Sequence, residues 1–316
     1  MRFVEDDRLY SRTEDCLRFL RGIGPGTSAG VPRASRRFHL YWRGAFGRKQ
    51  AFALKSLLAT QDVARGDVWL WLDVAAGYEG YEQNPLLQPL LPWLRVVPLD
   101  AELEVRGTPI EGRPELYRNV DATALSNCFR FVTLYRHGGV YVDMDTMFLR
   151  DLNALFQDDW AGDEFCYRWS AHLPYANSAI LALRAGSEVA HALLLRCVET
   201  RSCRPATVLR FEETRQIPLL VLPCAVFDPL WPRHDGQDRY PSAPFRRFGD
   251  FFRRFGWRVR RAPTIRSHRD FFPGAFTYHW HNCWDAPEHH DSYFGLFERE
   301  FDDLLRARLD APAGRP

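Results

Sequence analysis

Two aspartates two positions apart, Asp143 and Asp145, close the run Gly138-Gly-Val-Tyr-Val-Asp-Met-Asp145, in which an apolar strand leaves a glycine turn. Side chains alternate along a strand, so Tyr141, Asp143 and Asp145 are expected on one side and Val140 and Val142 on the other. Two carboxylates on one side at the end of a strand can share a hard cation, Mg²⁺ or Mn²⁺, whose remaining positions suit water and phosphate oxygens. The chemistry implied is that of a Lewis acid, which neutralises a diphosphate and stabilises it as a leaving group.

The elements that must present these residues are readable on either side. Phe38 to Trp42 alternates as a strand, Lys49 to Gln61 has helical spacing, and Asp67 to Val74 returns as a continuous apolar strand. Strand, helix, strand in that order favours a parallel, right-handed unit of an α/β sheet. Residues 84–119 hold six prolines and read as connections around a short strand at 93–97. From Thr123 to His137 apolar residues recur at helical spacing, Arg136 and His137 suit the negative end of the dipole, and Gly138-Gly139 ends the helix. Residues 1–21 read as a short amphipathic helix and 22–35 as a linker.

Composition narrows the function. The 42 basic and 40 acidic side chains nearly cancel, leaving +2, so nucleic acid is not expected as the main partner. No apolar run approaches the length of a membrane span and the first dozen residues are charged, so a cytoplasmic protein is expected. The seven cysteines have no metal-site spacing and read as reduced thiols, mostly core fillers. The stretch 245–261, PFRRFGDFFRRFGWRVRR from Pro244 onward, is basic and aromatic; it suits either a solvated, acceptor-facing surface or peripheral contact with an anionic inner membrane.

Taken together, Ala124-Leu-Ser126-Asn-Cys-Phe-Arg130 and Leu134-Tyr-Arg-His-Gly-Gly-Val-Tyr-Val-Asp-Met-Asp145 closely resemble the DXD sugar-binding region of a glycosyltransferase family. That family includes yeast initiating α-1,6-mannosyltransferases, α-1,4-galactosyltransferases and bacterial capsular-polysaccharide transferases, with large clostridial glucosylating toxins as distant relatives. Weaker matches follow in order: Asn177 in Tyr175-Ala-Asn-Ser-Ala-Ile180, then His279-Trp280 with Cys283-Trp284, which resembles the family's H-W-x-x-S-W. The resemblance implies a GT-A-like, Rossmann-type α/β fold with a mixed, mostly parallel central sheet and added helices. It also implies a UDP- or GDP-sugar donor, a glycan or glycolipid acceptor, Mn²⁺ or Mg²⁺, and transfer of a hexose with retention. Residues 1–36 are then expected as N-terminal helix and linker, 37–300 as a single transferase domain, and 301–316 as C-terminal helix and tail.

Carried over residue by residue, the resemblance makes Asp145 a direct metal ligand and Asp143 a bridge between metal and donor ribose or sugar. Arg130, one helical turn from Asn127, would face the donor. His279 is a further candidate ligand, Trp42 a candidate to stack on the base, and Asn127, Gly139, Tyr141, Asn177 and Trp284 complete the expected donor site. Two positions depart from the family pattern: Asn127 stands where Asp is usual, and Cys283 where Ser is usual. No residue pattern nominates a second carboxylate for a covalent intermediate, so a same-face displacement is expected. Two other classes fit some of the residues. One is a catalytically silent carbohydrate-binding or scaffold protein of the same fold, suggested by Asn127. The other is a haloacid-dehalogenase-type phosphotransferase, whose D-x-D usually lies near the chain start and is followed two residues later by Thr or Val, where Met147 stands here.

Overall fold

Leu40, Leu70, Val140 and Val142 are buried on one side of a sheet, and Trp69, Trp71, Tyr141 and Leu181 on the other. Strands buried on both faces need cover on both, which is why their sequences read as apolar runs. The computed structural model describes residues 1–25, 36–73, 80–157 and 164–310. Its strands are β1 Arg2–Phe3, β2 Phe38–Trp42, β3 Val68–Leu72, β4 Leu94–Pro98, β5 Gly139–Val142, β6 Thr146–Phe148, β7 Phe165–Arg168, β8 Ala176–Leu183, β9 Leu220–Leu222 and β10 Thr277–His279. Eight of them form one sheet in the order β1-β9-β7-β8-β5-β2-β3-β4. Pairing is parallel except on the two sides of β8, which runs antiparallel to β5 and β7. The expected mixed, mostly parallel α/β sheet is therefore present.

The helices Arg48–Thr60 and Tyr293–Asp310 pack together on one face, with Phe52 against Phe294 at 4.6 Å between ring centroids. The helices Ala122–His137 and Glu188–Thr200 cover the other through residues such as Phe129, Val132, Leu193 and Leu194. A separate antiparallel ribbon, β6 with β10, hangs from the end of β5 and sets His279 opposite Thr146.

Several elements differ from the sequence expectation. The N-terminal stretch is a two-residue strand followed by helices Arg8–Ser11 and Thr13–Gly22, and the strand pairs in parallel with β9. The final helix begins at Tyr293, ahead of position 301. Residues 26–35 of the expected linker, Val74 and the tail 311–316 lie outside the described residues. In 245–261 the side chains of Phe245, Phe248, Phe251 and Phe252 are buried in the core, because the ring packing there needs them. What the stretch turns to solvent is arginine and Trp257, which is 82% exposed. Among the described residues no helix is long and apolar enough to cross a membrane. All seven cysteines are free, and all but Cys283 are buried.

The turn that feeds β5 is set by local chemistry. Asp121 caps the helix Ala122–His137 by accepting the Ala124 N–H at 2.7 Å, and Gly138, at φ 65°, ends it with its N–H on the Leu134 carbonyl at 2.9 Å. Gly139, at φ 103°, lets β5 approach the chain entering β2: a Cβ there would lie 2.3 Å from the Arg37 carbonyl oxygen, the same oxygen that accepts the Val140 N–H at 2.8 Å. Gly139→Ala is expected to lower stability by about 2–3 kcal/mol. Gly256→Ala, where nothing lies within 4 Å of the added carbon, should be near neutral; thermal unfolding of the two variants beside the wild type checks this.

Candidate functional site

Strand β5 stops at Val142, and Asp143 to Asp145 turn into β6, so the side-to-side alternation expected through Asp145 ends earlier. The reason is long-range: the Asp143 N–H donates to the Ala179 carbonyl at 2.8 Å, and the Asp145 carbonyl accepts the Trp280 N–H at 3.0 Å. These bonds bend the chain and still bring both carboxylates to one place. The nearest ligand atoms of Asp143, Asp145 and His279 lie within 4.8 Å of one another.

Asp143 is oriented through one oxygen. Its Oδ1 accepts from Arg130 Nη2 at 2.9 Å and from the Tyr141 hydroxyl at 3.0 Å, while Oδ2 makes no hydrogen bond among the described residues. The side chain is 24% exposed, whereas that of Arg130 is 5% exposed. Arg130 spends its other donors on the scaffold, giving Nη1 to the Ser178 carbonyl and hydroxyl and Nη2 to the Ser126 hydroxyl, and it lies over the Tyr141 ring. It therefore acts on Asp143 and Ser178 rather than presenting a free guanidinium. Burial pushes the Asp143 carboxyl above the usual carboxylate range, with the neighbouring Asp145 charge adding to the shift and Arg130 opposing it. Burial also raises the Tyr141 phenol.

Asp145 is more enclosed. Its Oδ1 lies 3.0 Å from His279 Nε2, and its Oδ2 accepts the Asn282 N–H at 2.7 Å. Burial alone would push this carboxyl up; the charge and hydrogen bond of His279, with the Asn282 N–H, outweigh burial and hold it well below the carboxylate range. His279 shows the reciprocal effect: burial opposes its charge, but Asp145 raises it to about 9. Its Nδ1 is buried and has no hydrogen-bond partner among the described residues.

The remaining expected residues are spread over several places. Trp42 and Trp284 meet, with ring centroids 4.8 Å apart, and both are partly exposed; their indole N–H groups donate to the Ala45 carbonyl and the Asn282 side chain. Asn127 is buried on the helix one turn before Arg130, and Asn177 in β8 accepts the Ala179 N–H at 2.9 Å. Gly139 sits at the far end of β5, where its part is the backbone approach to Arg37. Cys283 is half-buried, and its carbonyl is one of three, with those of Trp284 and Ala286, that accept from Lys49 Nζ at 2.5–2.7 Å.

Three contributors were not read from the sequence. Asp228 is fully buried, with Oδ2 at 2.6 Å from His281 Nε2, and the His281 ring stacks on His279 at 3.9 Å. Asp228, His279 and His281 form a second cluster of possible ligand atoms sharing His279 with the first. The spacing His279-Trp-His281 was a usable signal; Asp228 in Val226-Phe-Asp-Pro and Lys49 in a helical run carried none.

Comparison with known proteins gives three findings. Residues 99–163 match the glycosyltransferase sugar-binding region containing the DXD motif, which places Asp143 and Asp145 inside the matched segment. No curated protein matches the chain. Among solved structures it is similar to the PaToxG glycosyltransferase (14% identity, TM-score 0.46, 67% of this chain and 81% of that one). It is also similar to GlyE of Streptococcus pneumoniae TIGR4 (13%, 0.40, 60% and 45%) and to the galactosyltransferase LgtC in complex with donor and acceptor sugar analogues (12%, 0.48, 89% and 97%).

Two measurements bear on this geometry. Arg130→Met removes a buried cation whose partners stay behind, and is expected to cost about 2–4 kcal/mol in chemical unfolding, the partial exposure of Asp143 keeping it short of a fully buried pair. In protein freed of metal with EDTA, His279 is raised in the folded state. Its stabilisation should then be complete below its ordinary value of 6.5 and lost as pH rises through about 9. The stability gap between wild type and His279→Gln should shrink across that window.

Proposed function

We propose that this chain, which carries the DXD sugar-binding region of glycosyltransferases, moves a hexose from a nucleoside diphosphate to a glycan or glycolipid acceptor with retention of configuration. The observation that carries the reading is the convergence of Asp143, Asp145 and His279 beside the Trp42–Trp284 pair. Two carboxylates and an imidazole suit a divalent cation, and the imidazole favours Mn²⁺ over Mg²⁺. The uncommitted Asp143 Oδ2, and His279 Nε2 turned to Asp145 Oδ1 at 3.0 Å, support that fit. A cation held there would neutralise the diphosphate and make it a better leaving group.

The chain's own residues supply the rest. Asp145 is the proposed direct ligand and Asp143 the bridge toward ribose or sugar. Arg130 and Tyr141 grip Asp143 Oδ1 and so aim Oδ2, while the Asn282 N–H and His279 hold Asp145. Trp42 and Trp284 offer indole faces for the base, and the amides of Asn127 and Asn177 offer uncharged hydrogen bonds to sugar hydroxyls. In the proposed same-face displacement the bond from the anomeric carbon to phosphate oxygen breaks as the acceptor oxygen bonds to that carbon. The acceptor proton passes to the departing phosphate oxygen.

Calorimetric titration with UDP, and separately GDP, with and without Mn²⁺, is the direct test. Binding of one nucleotide that needs Mn²⁺ and falls at least tenfold in Asp145→Ala is expected. Binding of neither under any metal condition would leave the silent carbohydrate-binding alternative in its place.

A further inference from the structure

Beside the carboxylate turn stands an aromatic wall that the donor reading does not use. Trp231 lies 4.5 Å from His281 and 4.8 Å from Trp169 between ring centroids, and Phe248 lies 4.3 Å from His281. Both indoles are partly exposed. Three buried polar atoms of this wall have no hydrogen-bond partner among the described residues: Asp228 Oδ1 and the N–H groups of Trp169 and Trp231. Buried polar atoms are normally paired, so one acceptor and two donors left open beside indole faces point to a ligand that brings hydroxyls and an apolar face, as a sugar ring does.

The wall continues, through Phe248 and His234, into a groove of about 780 Å³ that reaches Cys283 and is lined by Arg233, Arg239, Arg246 and Arg247. Among the described residues, the guanidinium groups of Arg239, Arg246 and Arg247 pair with no carboxylate. The acid in the groove, Asp238, is engaged by the backbone N–H groups of Thr13 and Tyr240. Three uncompensated guanidinium groups around one groove are matched by a carboxylate or phosphate, which each can grip with two parallel bonds.

We propose that wall and groove together form the acceptor site, and that the acceptor is an anionic glycan: a sugar ring on Trp231, beside His281, with its carboxylate or phosphate among the arginines. The inference rests on the transferase reading above and adds to it the charge of the acceptor and the residues that select it.

Tryptophan-fluorescence titration tests it with two pairs of probes: trigalacturonate against its neutral methyl ester, and maltose 1-phosphate against maltose. At least one charged sugar should bind at least tenfold tighter than its neutral counterpart; the arm that does so identifies carboxylate or phosphate. Arg246→Ala/Arg247→Ala, two exposed positions, should remove that preference, and Trp231→Ala should remove the fluorescence change. Mn²⁺-dependent nucleotide binding should be unchanged in both variants, which also shows them folded. Equal binding of charged and neutral sugars, or of neither, with nucleotide binding intact would overturn this inference alone. Loss of nucleotide binding in the arginine variant would instead give the groove to the donor diphosphate and overturn it. Absence of nucleotide binding in the wild type would remove the transferase reading and this inference with it.

Discussion

Three carboxylates of the site, Asp143, Asp145 and Asp228, are gathered around His279 and His281, and each has a basic side chain of its own against it: Arg130, His279 and His281 respectively. Like charges gathered in partly desolvated surroundings repel, so the arrangement depends on these partners being in place. The partners come from separate parts of the chain. Arg130 is delivered by the helix Ala122–His137, and His279 and His281 by the end of the β6–β10 ribbon. Helix, sheet and ribbon must therefore all be in register before the cluster exists, which gives the apolar packing on both sheet faces a functional purpose beyond stability.

What the sequence made legible is what neighbouring residues decide. Strand β2 and the helix ending at Gly138 follow from periodicity and from the residues that cap the helix, and both fall within a residue of expectation. The carboxylate turn was legible as a motif but not as a shape, because the bonds that bend it come from Ala179 and Trp280, far along the chain. Asp228 was invisible for the same reason. Its partner His281 is 53 positions away, and nothing beside Asp228 marks it. Lys49, which gathers three carbonyls from the Cys283–Ala286 segment, reads in sequence as one more helical residue.

Arg130 and the phenylalanines of 245–261 show how burial overrides an expectation based on residue type. A guanidinium one turn from an amide suggested a ligand contact, yet its donors are taken by Asp143, Ser126 and Ser178. Interleaved Arg and Phe suit a solvated or membrane-facing surface in sequence; in the fold Phe245, Phe248, Phe251 and Phe252 turn inward and the arginines outward. A groove lined by arginines is the result.

The short strand β1 carries a kinetic consequence. It joins residues 2 and 3 to residues 220 and 221, and the Met1 amino group donates to the Thr214 carbonyl at 2.8 Å. Closing a loop of that length has a large entropic cost and is rewarded late, after more local pairings have formed. Until that long-range closure is made, the edge of the sheet beyond β9 is an unpaired strand edge, the kind of surface on which a partly folded chain can pair with another.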